Sequence, residues 1–372
     1  MKILIFNWQD IKNPFGGGAE VHLHEIFKRI AAKGHEVTLA CCKFDGSTDE
    51  EIIDGIRVIR KGSRSVFNFY VRGLYKKITR ENKFDLVIDD INKVPFYTPC
   101  FVKEPMLAIS HHFFGKAIFH EAGIFSGSYV YLSEKLVNRI YRKTPFVVVS
   151  DSTLNEFIER GFKREQFSIV HNAIEQERFP MKISPKFEKP TVVYFGRLKK
   201  YKSVDHLVRA FALIVDKIPD ARLEFIGRGN FQPELERITR ELGIENRTKF
   251  YGFVSEEEKI EILSKSHIVV NTSIKEGWGI TNIEANACGT PVISANVPGL
   301  RDSVKAGVSG LLYEYGNIKQ LSEQMLLLLT NQSELMRLSE GAVEWAKTFS
   351  WDNSAELMLK RCEEIINKNK PS

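Results

Sequence analysis

No stretch of this chain stays apolar long enough to span a bilayer. The longest purely aliphatic run is four leucines, Leu326 to Leu329, against the ~20 residues a spanning helix needs. Cysteine is scarce and unpatterned: Cys41, Cys42, Cys100, Cys288 and Cys362 form no C-x-x-C or zinc-ligand spacing. An odd number without a framework reads as reduced thiols in a cytosolic protein. Low-complexity tracts are missing, and neither charge sign dominates, with a formal net charge of +6. That mildly basic balance suits an anionic partner such as a sugar nucleotide, a nucleic acid or a lipid headgroup, and chooses none of them. The opening MKILIFNWQD meets an acid straight after its apolar run. It is expected to be a first strand and no signal peptide.

The common nucleotide-binding signatures also fail. In GGGAEV, Gly16 to Val21, valine stands where a dinucleotide fingerprint needs its third glycine; in GRGNFQ, Gly227 to Gln232, glutamine does. No G-x-x-x-x-G-K-[ST] occurs, so there is no P-loop. Asp89-Asp90 has no third ligand nearby and reads as a strand-end cap or turn rather than a metal site. No helix-turn-helix or basic aromatic module points to nucleic acid. A nicotinamide dehydrogenase is therefore disfavoured.

What is present is a regular alternation. KILIFN, HEVTLAC, DLVID, MLAIS and FVVVS in the first half are short buried runs separated by amphipathic segments, as are TVVYFG, RLEFIG, KFYGF, HIVVNTS and TPVISA in the second. Such runs predict parallel strands in βαβ units, hence an α/β protein of two doubly wound, Rossmann-like domains. A chain of 372 residues accommodates two such domains. The stretch Asn172 to Pro190 carries three prolines and no period, and reads as the linker, assigned to 176–190. Two facing open sheets place a ligand in a central cleft, at the carboxyl ends of the strands.

The stretch TSIKEGWGITNIEANACGTPVIS, from Thr272, puts Glu276 on a loop after a strand and Glu284 about one turn into the next helix. Between them the amides of Gly279, Ile280 and Thr281 form a helix N-terminus, which favours a phosphate. Carboxylates on either side suit the hydroxyls of a ribose and a sugar flanking a diphosphate. Two glutamates alone would read equally well as a turn residue and a solvated helix residue. A second motif, YFGRLKKYKSVDHLVRAF, ends a strand at Gly196 and supplies Arg197 and Lys202 to the same cleft. Two cations can neutralise a diphosphate leaving group without a metal. Lys199 and Lys200 fit a solvated surface better.

GRLKKYK, FIGRGN, YGFVS and EGWGITNIEANACGTPVISANVPGLRDSV resemble the donor half of family 4 of the retaining glycosyltransferases, and GGAEVHLHEIFKRIAAKGHEVTL with VVVSDSTLNEFIERGF and VHNAI resembles its first half. The resemblance implies the GT-B architecture. It gives an acceptor-binding domain of 1–175 completed by a returning helix in 352–372, and a donor-binding domain of 191–351. By position, Glu276 matches the glutamate facing the donor sugar, Glu284 the one holding the ribose, and Arg197 with Lys202 the diphosphate clamp. Gly17 and Gly18 match the loop that closes on the donor phosphates. Gly196 and Gly227 end the donor-domain strands, and a histidine near the donor sugar matches His111, with His112 as the alternative. Ser203 stands where glycine usually follows the lysine, and Ala173 where glycine follows Asn172.

The implied activity is retaining, metal-independent transfer of a hexose or related sugar from a nucleoside diphosphate sugar, with UDP favoured and GDP possible, and no cofactor. The acceptor is expected to be a glycan or a lipid-linked molecule, as in cell-surface polysaccharide synthesis. Its site is expected within about Ile91 to Tyr141. A sugar-nucleotide epimerase of the same architecture and a non-catalytic nucleotide-sugar binder are the alternatives. The chain is expected to be cytoplasmic, with peripheral contact to an anionic inner membrane surface. RSVFNFYVRGLYKKITRENK suggests the contact, with Arg72, Lys76 and Arg80 on one face and Phe67, Val71, Leu74 and Ile78 on another; KLVNRIYRK is similarly basic and apolar. A helix covering its own sheet fits the same pattern.

Overall fold

The computed structural model describes residues 1–92, 94–120 and 123–369. The chain divides into two compact units, residues 1–172 with the helix from Trp351 onward, and residues 173–350.

The first unit runs β1 (Lys2–Phe6), α1 (Gly18–Ala32), β2 (Glu36–Cys41), β3 (Glu50–Ile53), β4 (Ile56–Arg60), α2 (Phe67–Glu81), β5 (Leu86–Ile91), β6 (Met106–Ser110), α3 (Ile124–Ile140), β7 (Phe146–Val148), α4 (Asp151–Glu159) and β8 (Phe167–Ile169). Its strands lie in the order β3-β4-β2-β1-β5-β6-β7-β8. Every pairing is parallel except β3 with β4. The strands LVIDDI and, from Ile3 on, KILIF are buried on both faces, as a parallel sheet under helices requires. The strand order reverses between β1 and β5, so the loops leaving these two strands diverge and open a crevice.

The second unit runs β9 (Thr191–Phe195), α5 (Val204–Ala212), β10 (Arg222–Ile226), α6 (Gln232–Glu241), β11 (Thr248–Gly252), α7 (Glu256–Lys265), β12 (Ile268–Asn271), α8 (Ile280–Ala287), β13 (Val292–Ala295), β14 (Gly310–Tyr313), α9 (Ile318–Thr330) and α10 (Gln332–Ala346). Its sheet, ordered β11-β10-β9-β12-β13-β14, is parallel throughout, with its reversal between β9 and β12. The last helix, α11 (Trp351–Lys368), belongs to the first unit. There Arg29 on α1 pairs with Asp352 at 2.6 Å, and Ser354 donates to the carbonyl of His171 at 2.9 Å.

All ten expected strands occur, and among the described residues four more accompany them. The segment 176–190, expected as a linker, instead lies within the second unit. The Met181 amide donates to Ala287, and Lys186 donates to the carbonyls of Ser264 and Gly289 and to the Thr290 hydroxyl. Burial lowers Lys186 to about 8. A proline-rich sequence without a period can still be anchored, because its backbone and its lysine find partners elsewhere.

The apolar face of α2 is also corrected. Phe67, Val71, Leu74 and Ile78 pack against Leu4, Phe6 and Val87 in the unit's own core, so that face is closed to a membrane. Among the described residues, no helix is long and apolar enough to cross one.

Candidate active site

At the second unit's reversal point, the loop after β9 carries Gly196, Arg197 and Lys202, and the loop after β12 carries Glu276. Backbone and side-chain bonds hold the two loops together. The Thr272 hydroxyl donates to the Lys202 carbonyl at 2.8 Å, and the Ile274 amide to Tyr201 at 3.1 Å. The Lys202 ammonium and the Glu276 carboxylate form an ion pair, both largely shielded from solvent. Arg197 is exposed; its guanidinium donates to the Tyr201 hydroxyl at 3.1 Å, and its carbonyl accepts from Tyr194 at 3.1 Å.

Close backbone approach explains two glycines here. A Cβ at Gly227, where φ is +125°, would lie 2.1 Å from the Gly196 carbonyl oxygen, so the β9 and β10 ends can meet only without that atom. Gly299, a position not foreseen from the sequence, has φ +82° and would place a Cβ 2.0 Å from the Glu276 carbonyl oxygen. It therefore fixes the backbone that carries Glu276. Ser203, in place of the usual glycine, keeps the left-handed conformation at φ 48° that favours glycine there. Its hydroxyl lies 2.8 Å from that of Tyr315, a tertiary contact that offsets the strain.

Gly279 caps α8 through its backbone, and the Thr281 hydroxyl accepts from Asn271 at 3.0 Å. The Ile280 amide is engaged with the Trp278 carbonyl at 3.1 Å, so it is not among the unpaired donors of this helix end. Glu284 lies on α8 as expected, but it is half-buried and has a partner the sequence did not single out. Lys259 on α7 donates to it at 3.0 Å and also pairs with Glu256. Burial raises the Glu284 carboxyl, and Lys259 partly offsets the shift. Burial also works against the Lys259 charge, which Glu284 and Glu256 nevertheless hold above its ordinary pKa.

The first unit gathers a second cluster at its own reversal point. The Gly17 amide donates to the buried Glu20 at 2.7 Å, so this glycine's N–H is already satisfied. Asn92, one residue past β5, donates to the other Glu20 oxygen at 3.4 Å. Burial raises the Glu20 carboxyl, and its bond from Gly17 opposes the shift. Gly18 begins α1.

His111 follows β6, is buried, and donates from Nε2 to Asp90 Oδ1 at 3.1 Å. Asp90 is thus the partner of His111, where Asp89-Asp90 had read as a turn. Its neighbour Asp89 does take a structural part, accepting from Thr98 at 2.5 Å and from Tyr141. Burial raises Asp89 to about 6. His112 is half-buried with its ring on Phe114, 4.5 Å between centroids. His22 on α1 meets His111 edge-on at 5.2 Å and donates to the Val170 carbonyl at 3.1 Å; burial and His111 lower it to about 3, so it stays neutral.

The family description "Glycosyl transferases group 1" matches residues 175–345, and "Glycosyltransferase Family 4" matches residues 16–178. A D-inositol 3-phosphate glycosyltransferase of Corynebacterium glutamicum (strain R) is 34% identical over 185 residues, which cover 48% of this chain and 44% of that one. The chain thus spans less than half the length of that curated relative. Among solved structures, sucrose-phosphate synthase from Thermosynechococcus elongatus superposes over 99% of this chain and 100% of its own, with a TM-score of 0.79 at 19% identity. Anabaena HepE, solved in complex with UDP-glucose, superposes over 98% of this chain and 100% of its own, with a TM-score of 0.73 at 18% identity. At these identities the likeness is one of fold.

Proposed function

We propose that this chain, which belongs to the group 1 glycosyltransferases and has the two-domain GT-B fold, transfers a hexose or related sugar from a nucleoside diphosphate sugar to a glycan or lipid-linked acceptor with retained anomeric configuration. The observation that supports it best is the meeting of Lys202 and Glu276 between the β9 and β12 loops, with Glu284 on the helix that follows.

In this reading a diphosphate replaces Glu276 as the partner of Lys202, and Arg197 adds a second positive charge. Glu276 turns to the donor sugar's hydroxyls, while Glu284, held by Lys259, takes the ribose. The amides of Gly279 and Thr281 add helix-end donors, and Gly196 and Gly227 let backbone come close to the nucleotide.

The acceptor hydroxyl oxygen bonds to the anomeric carbon as the bond from that carbon to the phosphate oxygen breaks. The proton passes to the leaving phosphate, giving glycoside and nucleoside diphosphate. Neither paired glutamate is assigned as a covalent nucleophile, which favours reaction on one face of the sugar. No metal and no cofactor is required, because cations stand where the charge develops. The UDP-glucose held by HepE favours uridine diphosphate as the carrier here.

NMR of the product from a UDP-sugar and an acceptor tests this. Retained anomeric configuration with full activity in EDTA supports it. An inverted product, a donor epimerised without acceptor, or loss of activity in EDTA contradicts it.

A further inference from the structure

Among the described residues, Asp54, Tyr97, Met181 and Ser203 adopt a positive φ without being glycine. Ser203 is the one that adjoins a charged group of the candidate active site, Lys202. It closes the short 3₁₀ turn Lys200–Lys202 and opens α5, with φ 48° and ψ 38°. A side chain in this region is strained, and it persists where the surrounding structure overdetermines it.

Ser203 does not act as a helix cap. A serine just before a helix ordinarily accepts from an amide of the first turn, and Ser203 makes no such bond. Its hydroxyl instead shares a hydrogen bond of 2.8 Å with that of Tyr315, two residues past β14. Tyr315 is itself fixed: its ring packs against the second unit's core and stands 5.2 Å from the His206 ring on α5. Ser203 is buried, which shelters the contact from competing water.

The torsions at Ser203 govern the peptide before it. The Lys202 carbonyl accepts from the Thr272 hydroxyl at 2.8 Å, and the Tyr201 carbonyl from the Ile274 amide at 3.1 Å. With α5 in place, a change of φ at Ser203 turns the Lys202 carbonyl away from Thr272. The same turn carries the Lys202 ammonium away from its partner, Glu276.

We propose that Tyr315 is a positioning residue for Lys202 and acts through Ser203. Its hydroxyl holds Ser203 left-handed, which keeps the Lys202 carbonyl on Thr272 and its ammonium beside Glu276. Tyr315 touches neither member of that ion pair, so its influence runs through the backbone. The consequence for a diphosphate rests on the transferase reading; the tether itself does not.

The test compares wild type, Tyr315→Phe, and Tyr315→Phe combined with Ser203→Gly. The first variant removes one hydroxyl and keeps the ring, and the added glycine takes the left-handed conformation without a tether. Acylation by an N-hydroxysuccinimide ester, read by mass spectrometry on the full chain, reports Lys202 directly, with exposed Lys200 as the internal reference. Calorimetric titration of UDP reports the ligand. In Tyr315→Phe, Lys202 should react up to about tenfold faster relative to Lys200, the worth of one hydrogen bond. UDP should bind up to about tenfold more weakly for the same reason. Glycine at position 203 should return both readouts towards wild type. A merely structural tyrosine would lower the melting temperature, and glycine would restore neither readout.

Unchanged Lys202 labelling in Tyr315→Phe overturns the proposal, as does a double variant as impaired as the single one. Faster labelling that glycine reverses, in a protein that does not bind UDP, supports the tether and contradicts the diphosphate reading instead.

Discussion

In the second unit the charged groups of the candidate site stand in ion pairs, Lys202 with Glu276 and Lys259 with Glu284. The first unit's reversal point instead carries a hydrogen-bonded set in which Glu20, Asp90, Asn92, His22 and His111 are linked to amides, to one another or to a carbonyl. Both clusters occupy the same place in a doubly wound sheet, outside the carboxyl ends of the two strands where the order reverses. The difference lies in what each can offer a ligand. Cations already paired with carboxylates can exchange them for a phosphate at little cost in desolvation. A buried histidine hydrogen-bonded to a carboxylate can orient a sugar but cannot hold two negative charges.

The sharpest break in this comparison is expected at Lys202. Lys202→Ala should reduce turnover by about 10²- to 10³-fold, the range for losing one preorganised charge stabiliser. Steady-state assays with the melting temperature as control check it, and a loss below tenfold would remove Lys202 from the chemistry.

Lys259 tests the other pair through stability. Lys259→Met should cost about 3 kcal/mol in urea unfolding, since it strands a buried carboxylate. Lys259→Met combined with Glu284→Gln should recover much of that cost. Equal costs for the single and double variants would mean that the two groups are not coupled.

The first unit's stability is expected to respond to pH through His22. His22 titrates at about 3 when folded and near 6.5 when unfolded. Its contribution is therefore fully present above pH 6.5 and is lost as pH falls below it, because the unfolded chain takes up the proton first. Between pH 7 and pH 5 the loss from this group is about 2 kcal/mol. His22→Gln, which keeps a donor for Val170, should flatten the measured stability profile by that amount relative to wild type. An unchanged slope would show that His22 is not held neutral.

The smallest effect is expected at Asp90. Asp90→Asn should lower kcat by about tenfold through a misoriented His111, with nucleotide affinity unchanged. A change in nucleotide Kd of the same size would place Asp90 in binding rather than in positioning.

The contrast also decides what could be read in advance. The second unit's site was legible because each half of it is contiguous: one loop supplies Arg197 and Lys202, and one loop and helix supply Glu276 and Glu284. Lys259 escaped notice because it sits in an ordinary acidic helix, EEEKIEILSK, and only packing brings it to α8. In the first unit Glu20 lies on α1, Asp90 near the end of β5 and His111 just after β6, and no local spacing links residues 20, 90 and 111. The Asp-Asp pair and His111 could each be singled out, but their pairing could not.

Among the strands, the β3–β4 hairpin had a local signal that went unused. Asp54-Gly55, with φ of 47° and 82°, is the two-residue turn that reverses an antiparallel pair. β8 and β14 are three and four residues long, too short for periodicity to register. The buried side of α2 was undecidable from its pattern, since a helix on its own sheet and one on a membrane share the same stripe.

The central claim is that the paired carboxylates and cations of the second unit form a nucleotide-sugar site. Calorimetric titration of UDP into the wild type and into Glu284→Ala tests it most directly. The account predicts that the wild type binds and that the variant, melting within a few degrees of it, binds at least about tenfold more weakly for want of a charge-assisted bond to the ribose. Equal affinity in the two proteins, or no binding of any nucleoside diphosphate to the wild type, would contradict it.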